Sequence, residues 1–109
     1  MDIRFRNKKL REMCEQRKVA VKTMGPLSAQ KLGIRLAALE AARCVSDLVA
    51  GRPHELTGPR AGQFALDLSG GWRLVFSPDN EPRPERPDGG IDWQRVTIVC
   101  IEYIGDYHD

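Results

Sequence analysis

At 109 residues, with 41% apolar and 29% charged side chains, the chain has material for one globular core and is too balanced in composition for a disordered one. The net charge of +2 conceals an asymmetry: residues 1–35 carry ten Lys/Arg against three acids, and residues 36–109 carry seven against twelve. No apolar run approaches the ~18–20 residues that cross a bilayer, and Met1 leads into Asp2-Ile3-Arg4-Phe5-Arg6 without the apolar centre of a signal peptide, so the expected address is the cytoplasm and no membrane partner is expected.

Ile3-Arg4-Phe5 alternates apolar and polar residues and reads as an opening strand. Helical spacing follows, with Leu10, Met13 and Cys14 on one face, until Gly25-Pro26 breaks it. Ser28 is placed to cap a second helix with Leu32, Leu36 and Leu39 on one side, giving a helical hairpin. A turn at 46–49 and Gly51-Arg52-Pro53 close this half.

From His54 the period changes to two. Phe64, Leu66 and Leu68 alternate with Ala65 and Asp67, Gly70-Gly71 supplies a tight turn, and Trp72 to Phe76 returns as the second arm of a hairpin. Residues 96–104 are β-branched and apolar enough for a central strand. Arg73, between Trp72 and Leu74, points to the face opposite theirs. Four of the seven prolines fall between 78 and 87, so 78–92 is expected to be a loop across a widened hairpin. The expected fold is one α+β domain over 1–109, an opening strand and helical hairpin packed on a twisted antiparallel sheet. Burial on one face or the other is expected for Phe64, Leu66, Leu68, Trp72, Leu74, Phe76, Ile98, Cys100 and Tyr103.

Several chemistries find no support. Cys14, Cys44 and Cys100 are an odd, scattered set, and His54 and His108 are the only histidines, so neither a metal site nor any other cofactor is expected. There is no glycine-rich phosphate loop after a strand and no GxSxG elbow. What remains is a polar set in an apolar half: His54, Arg60, Arg73 and the closing Gly105-Asp106-Tyr107-His108-Asp109. An Arg, two His and a Tyr suit phosphodiester cleavage by RNA's own 2′-hydroxyl. Arg stabilises the phosphorane charge while His or Tyr moves protons. The basic excess of residues 1–35 is either a phosphate-binding face or a solvated helix surface.

The stretch His54-Glu-Leu-Thr-Gly-Pro-Arg-Ala-Gly-Gln-Phe-Ala-Leu-Asp-Leu-Ser-Gly-Gly-Trp-Arg-Leu-Val-Phe76, with Asp106-Tyr107-His108, resembles the HigB branch of the RelE/ParE toxins, the plasmid maintenance killer proteins of bacterial type II toxin–antitoxin pairs. The resemblance implies a RelE/ParE-like fold and a metal-independent endoribonuclease that cuts messenger RNA on the ribosome. It also implies a HigA-like helix-turn-helix antitoxin, with operator DNA reached only through that partner. Residue by residue it places Arg73, Tyr107, His108, His54 and Asp106 in the catalytic site. Arg73 would steady the phosphate, Tyr107 would stack on or deprotonate the nucleotide, His54 or His108 would be acid or base, and Asp106 would orient a neighbour. Lys8, Lys9, Arg11, Arg17, Lys18 and Lys22, with Arg60, would bind RNA. One departure stands out: Thr57 occupies the turn where the family commonly has Lys, so activity is weakened or Arg60 substitutes. Two other readings follow from the same resemblance, a homologue that binds its antitoxin but cleaves poorly, and a ParE-like inhibitor of DNA gyrase.

Overall fold

The computed structural model describes residues 1–106. Its elements run β1 (Asp2–Phe5), α1 (Lys8–Glu15), α2 (Arg17–Ala41), β2 (His54–Glu55), β3 (Phe64–Asp67), β4 (Trp72–Pro78) and β5 (Ile98–Asp106), with short 3-10 turns at Val45–Asp47 and Gly58–Arg60. The sheet order is β1-β5-β4-β3-β2. The α+β layout expected from the sequence is present. β2 to β5 are antiparallel, but β1 lies parallel beside β5, so the opening strand completes the sheet from the far end of the chain.

The helical half differs in detail from its expected form. Asn7 caps α1, its Oδ1 accepting the Leu10 N–H at 2.9 Å. That helix stops at Gln16, whose backbone is extended at φ −122°, although Glu15-Gln16-Arg17 contains no Gly or Pro. Breaking there lets Leu10 and Met13 from one segment and Ala20 and Met24 from the next reach the same core. Gly25 does interrupt α2 as expected, at φ 85°, and Pro26 starts the next segment, where its missing N–H is no loss. Ser28 does not cap that segment. It lies inside α2, buried, and its hydroxyl donates to the Ser69 carbonyl at 3.0 Å, tying the helix to the β3–β4 turn.

One face of the sheet carries the main core: Leu66, Leu74, Phe76, Val99 and Ile101 under Leu32 and Leu39 of α2, all at 0–1% exposure. Each such side chain contributes roughly 1.5–3 kcal/mol of transfer free energy. Cys14, Cys44 and Cys100 are half-buried, and Cys14 packs against the margin of this core. Burial, with Glu15 adding to it, pushes the Cys14 thiol up to about 12, so it stays protonated.

The proline-rich connection is a built element. Glu85 bridges Ile91, the Arg86 N–H bonds Gly90 O, and the Asn80 amide oxygen accepts the N–H groups of Thr97 and Ile98. Ile91, Trp93 and Val96 enter the main core, and the Trp93 ring packs 4.8 Å from Phe64. The indole N–H donates to Glu55 Oε1 at 2.7 Å. The connection therefore closes the part of the core that the helices leave uncovered.

β5 also holds a bulge. Phe76 faces Ile101 whereas Val75 faces Tyr103, so Glu102 is the extra residue. Residues 101 and 103 would otherwise share a face. Instead Ile101 enters the main core and Tyr103 turns to the opposite, helix-free face, where it packs on Leu56, Ala65 and Val75.

Candidate functional site

Residues directly opposite one another on paired strands share a face. His54 is opposite Ala65, Ala65 opposite Val75, and Val75 opposite Tyr103; one step along, Asp67 is opposite Arg73 and Arg73 opposite Gly105. The helix-free face thus brings His54, Asp67, Arg73 and Tyr103 into one neighbourhood, with Arg73 on the side the sequence indicated. Asp106 is opposite Trp72, which packs against the main core, so on strand parity it takes the face away from Arg73 and Tyr103. Tyr107 and His108 lie outside the described residues.

Asp67 is the hub. Arg52 Nε contacts its Oδ2 at 2.8 Å, and Arg73 Nε contacts its Oδ1 at 3.3 Å. Burial alone would raise the Asp67 carboxyl; the Arg52 hydrogen bond and charge, followed by the charges of Arg73 and His54, outweigh it and hold the group below the usual aspartate range. A carboxylate with a depressed folded-state pKa contributes stability above its unfolded value, near 3.9, and that contribution is lost as pH falls through the lower folded value. The wild-type protein is therefore expected to lose stability more steeply than Asp67→Asn between about pH 5 and pH 2, read as denaturant midpoints across that range.

Arg60, at the end of its 3-10 turn, stacks its guanidinium 4.3 Å from the Tyr103 ring centroid and donates to Gln63 Oε1 at 3.2 Å. Thr57 precedes that turn, is exposed, and makes no side-chain capping bond. Tyr103 lies along its own strand over Gly105: a Cβ at 105 would meet the phenol oxygen and ring carbons. Glycine at 105 is what gives Tyr103 its place beside Arg73.

The basic residues named for RNA binding in the helical half are all exposed, whereas Lys31 is half-buried and Arg35 buried. Lys8, Lys9, Arg11, Arg17, Lys18 and Lys22 lie on α1 and the start of α2. Lys8 sits 3.9 Å from Glu12, and Arg11 lies over the Phe5 ring. Lys9 lines a small cleft between α1 and β5 whose far wall includes Glu102 and Tyr103, so this basic surface reaches the edge of the helix-free face. Sequence reasoning singled out neither Tyr103 nor the Arg52–Asp67 pair as site residues. The bulge that turns Tyr103 outward has no local signature, and an Arg–Asp pair across a turn looks like any surface pair.

The fold is two helical elements against a five-stranded, mostly antiparallel sheet. Among solved structures the chain is similar to YoeB from Staphylococcus aureus. It matches a YoeB–YefM complex at 14% identity and TM-score 0.59, covering 100% of this chain and 98% of that one. It matches a YoeB dimer at 14% identity, TM-score 0.60 and the same coverage. No protein-family model and no curated protein sequence matches the chain.

Proposed function

We propose that this protein is the toxin of a bacterial type II toxin–antitoxin pair and that it cleaves ribosome-bound messenger RNA. The observation that carries the reading is the convergence of Arg73, His54 and Tyr103 on the helix-free face of a RelE-like fold. In the step proposed, the 2′-hydroxyl of the RNA gives its proton to a base, and its oxygen attacks the adjacent phosphorus. The bond to the 5′-oxygen then breaks, and that oxygen takes a proton from an acid. The products are a 2′,3′-cyclic phosphate and a 5′-hydroxyl. Arg73 offsets charge on the phosphorane, and His54 or His108 serves as acid or base. Tyr107 stacks on or deprotonates the nucleotide, and Asp106 orients a neighbour. With Arg73 as the phosphate cation, no metal is required, and cleavage is expected to survive chelation.

The HigB assignment within this fold rests on the motif from His54 to Phe76 and the closing Asp106-Tyr107-His108. A HigA-like helix-turn-helix antitoxin, reaching operator DNA on the toxin's behalf, belongs to the same reading. Thr57 supports a second one, a poorly cleaving antitoxin binder, unless Arg60, whose guanidinium stacks on Tyr103, supplies the missing cation.

Brief induction followed by primer extension on translated messages tests the proposal. New cleavage ends accompanying growth arrest are expected. Arrest without new ends would favour gyrase inhibition, and neither arrest nor ends would favour the inactive binder. Reversing charge at Lys8, Lys9 and Arg11 to Glu is expected to weaken ribosome binding at least tenfold at low salt. It should also reduce the salt slope by roughly two to three, at ~0.7–0.9 per phosphate contact. Unchanged binding and slope would leave these residues as a solvated helix face.

A further inference from the structure

The helix-free face contains a hydrogen bond whose direction is determined by chemistry alone. His54 Nδ1 lies 2.7 Å from the carbonyl oxygen of Arg52. A carbonyl only accepts, so Nδ1 must carry the proton; in the neutral ring the lone pair then lies on Nε2. That carbonyl is held in an unusual direction. Arg52 adopts a left-handed backbone, φ 49°, the single non-glycine positive φ among the described residues. Three contacts hold it there. The Arg52 side chain is paired to Asp67 at 2.8 Å, the Asp67 N–H donates to Gly51 O at 2.7 Å, and Arg35 packs beneath Gly51. Arg35 is a buried arginine of α2, 8% exposed, and its Nε donates to Asp67 O at 3.0 Å. A Cβ at position 51 would collide with its guanidinium, so glycine there is a packing requirement as well as a conformational one.

We infer that Arg52 and Asp67 are positioning residues that hold His54 as its Nδ1–H tautomer, so that Nε2 is the ring atom that exchanges protons with substrate. A left-handed arginine costs on the order of 1–2 kcal/mol, which the surrounding contacts must offset. The tautomer would be lost first if they were removed. The same carboxylate that pairs with Arg52 also pairs with Arg73, so the group that aims the base and the group that binds the phosphate share one anchor. The inference rests on the proposed nuclease reading for its functional meaning, but not for its physical content.

The test is a long-range proton–nitrogen correlation spectrum of histidine-labelled protein about two pH units above the ordinary histidine pKa of ~6.5, with His54 assigned through a His108→Gln variant. Wild-type protein is expected to show a protonated Nδ1 and a lone-pair Nε2 at His54. Arg52→Gly keeps the left-handed backbone accessible while deleting the ion pair, and Asp67→Asn removes the anchor. Both are expected to shift His54 toward the Nε2–H form and to lower the cleavage kcat about tenfold with little change in KM, whereas Arg52→Lys retains the wild-type pattern. An Nε2–H ring in the wild-type protein, or an unchanged tautomer in both deletion variants, would overturn the inference. The expected tautomer shift in a protein that cleaves nothing would leave the positioning intact and remove the nuclease reading instead.

Discussion

On the proposed nuclease reading, Arg73→Ala is expected to reduce RNA cleavage by a hundredfold to a thousandfold while the protein still folds and still binds the proposed antitoxin. A donor that meets charge mainly in the transition state contributes about 3–4 kcal/mol, which converts to that range of rate. The structural cost should be far smaller. The Arg73–Asp67 pair is only partly buried, with side chains 19% and 33% exposed, and Asp67 retains Arg52 after the substitution. Pairs of this kind contribute about 0–1 kcal/mol. Single-turnover cleavage of a ribosome-bound message, beside a denaturation curve and an antitoxin titration, separates the two effects. A parallel loss of cleavage and several kcal/mol of stability would assign Arg73 to the scaffold.

Trp93→Ala is expected to destabilise the fold by about 3–5 kcal/mol, the range for removing a large buried aromatic side chain. For a domain of this size each kcal/mol corresponds to roughly 4–8 °C, so the melting temperature should fall by more than 10 °C. Trp93 sits in the proline-rich connection, yet it is 8% exposed, stacks against Phe64 and donates to Glu55. Thermal melts of Trp93→Ala and of a control such as Arg83→Ala, in the exposed part of the same connection, make the comparison. A loss of under 1 kcal/mol at Trp93 would mean that the connection does not support the core.

The change of hydrophobic period at His54 is enough to place β3 and β4, because alternation over Phe64–Asp67 and Trp72–Phe76 specifies both strand and buried face, while β5 is legible from its β-branched content. The side of the sheet taken by Arg73 follows from the same parity. Parity fails at Tyr103, since one inserted residue, Glu102, inverts the faces beyond it. The connection at 79–97 is illegible for a different reason. Its prolines exclude a ladder correctly, but Ile91, Trp93 and Val96 are too widely spaced to show a period, and they pack through turns instead. The break at Gln16 and the buried hydroxyl of Ser28 are decided by tertiary contact, against local signals that favour a continuing helix and a cap. His54 could be nominated from residue type, but the backbone conformation of Arg52 that directs its ring could not.

The place of β5 between β1 and β4 has a kinetic consequence. Asp2 pairs with Ile98, so nearly the whole chain must be gathered before that ladder forms, and such long-range closure is slow compared with a local hairpin. The β3–β4 hairpin, which brings Asp67 to Arg73, can form early because a short turn joins it. Tyr103 and Gly105 arrive when β5 docks on β4. A chain with the β3–β4 hairpin formed and β5 undocked would hold the Asp67–Arg73 pair without Tyr103, so assembly of the site waits on the β4–β5 pairing and not on the more distant β1–β5 ladder.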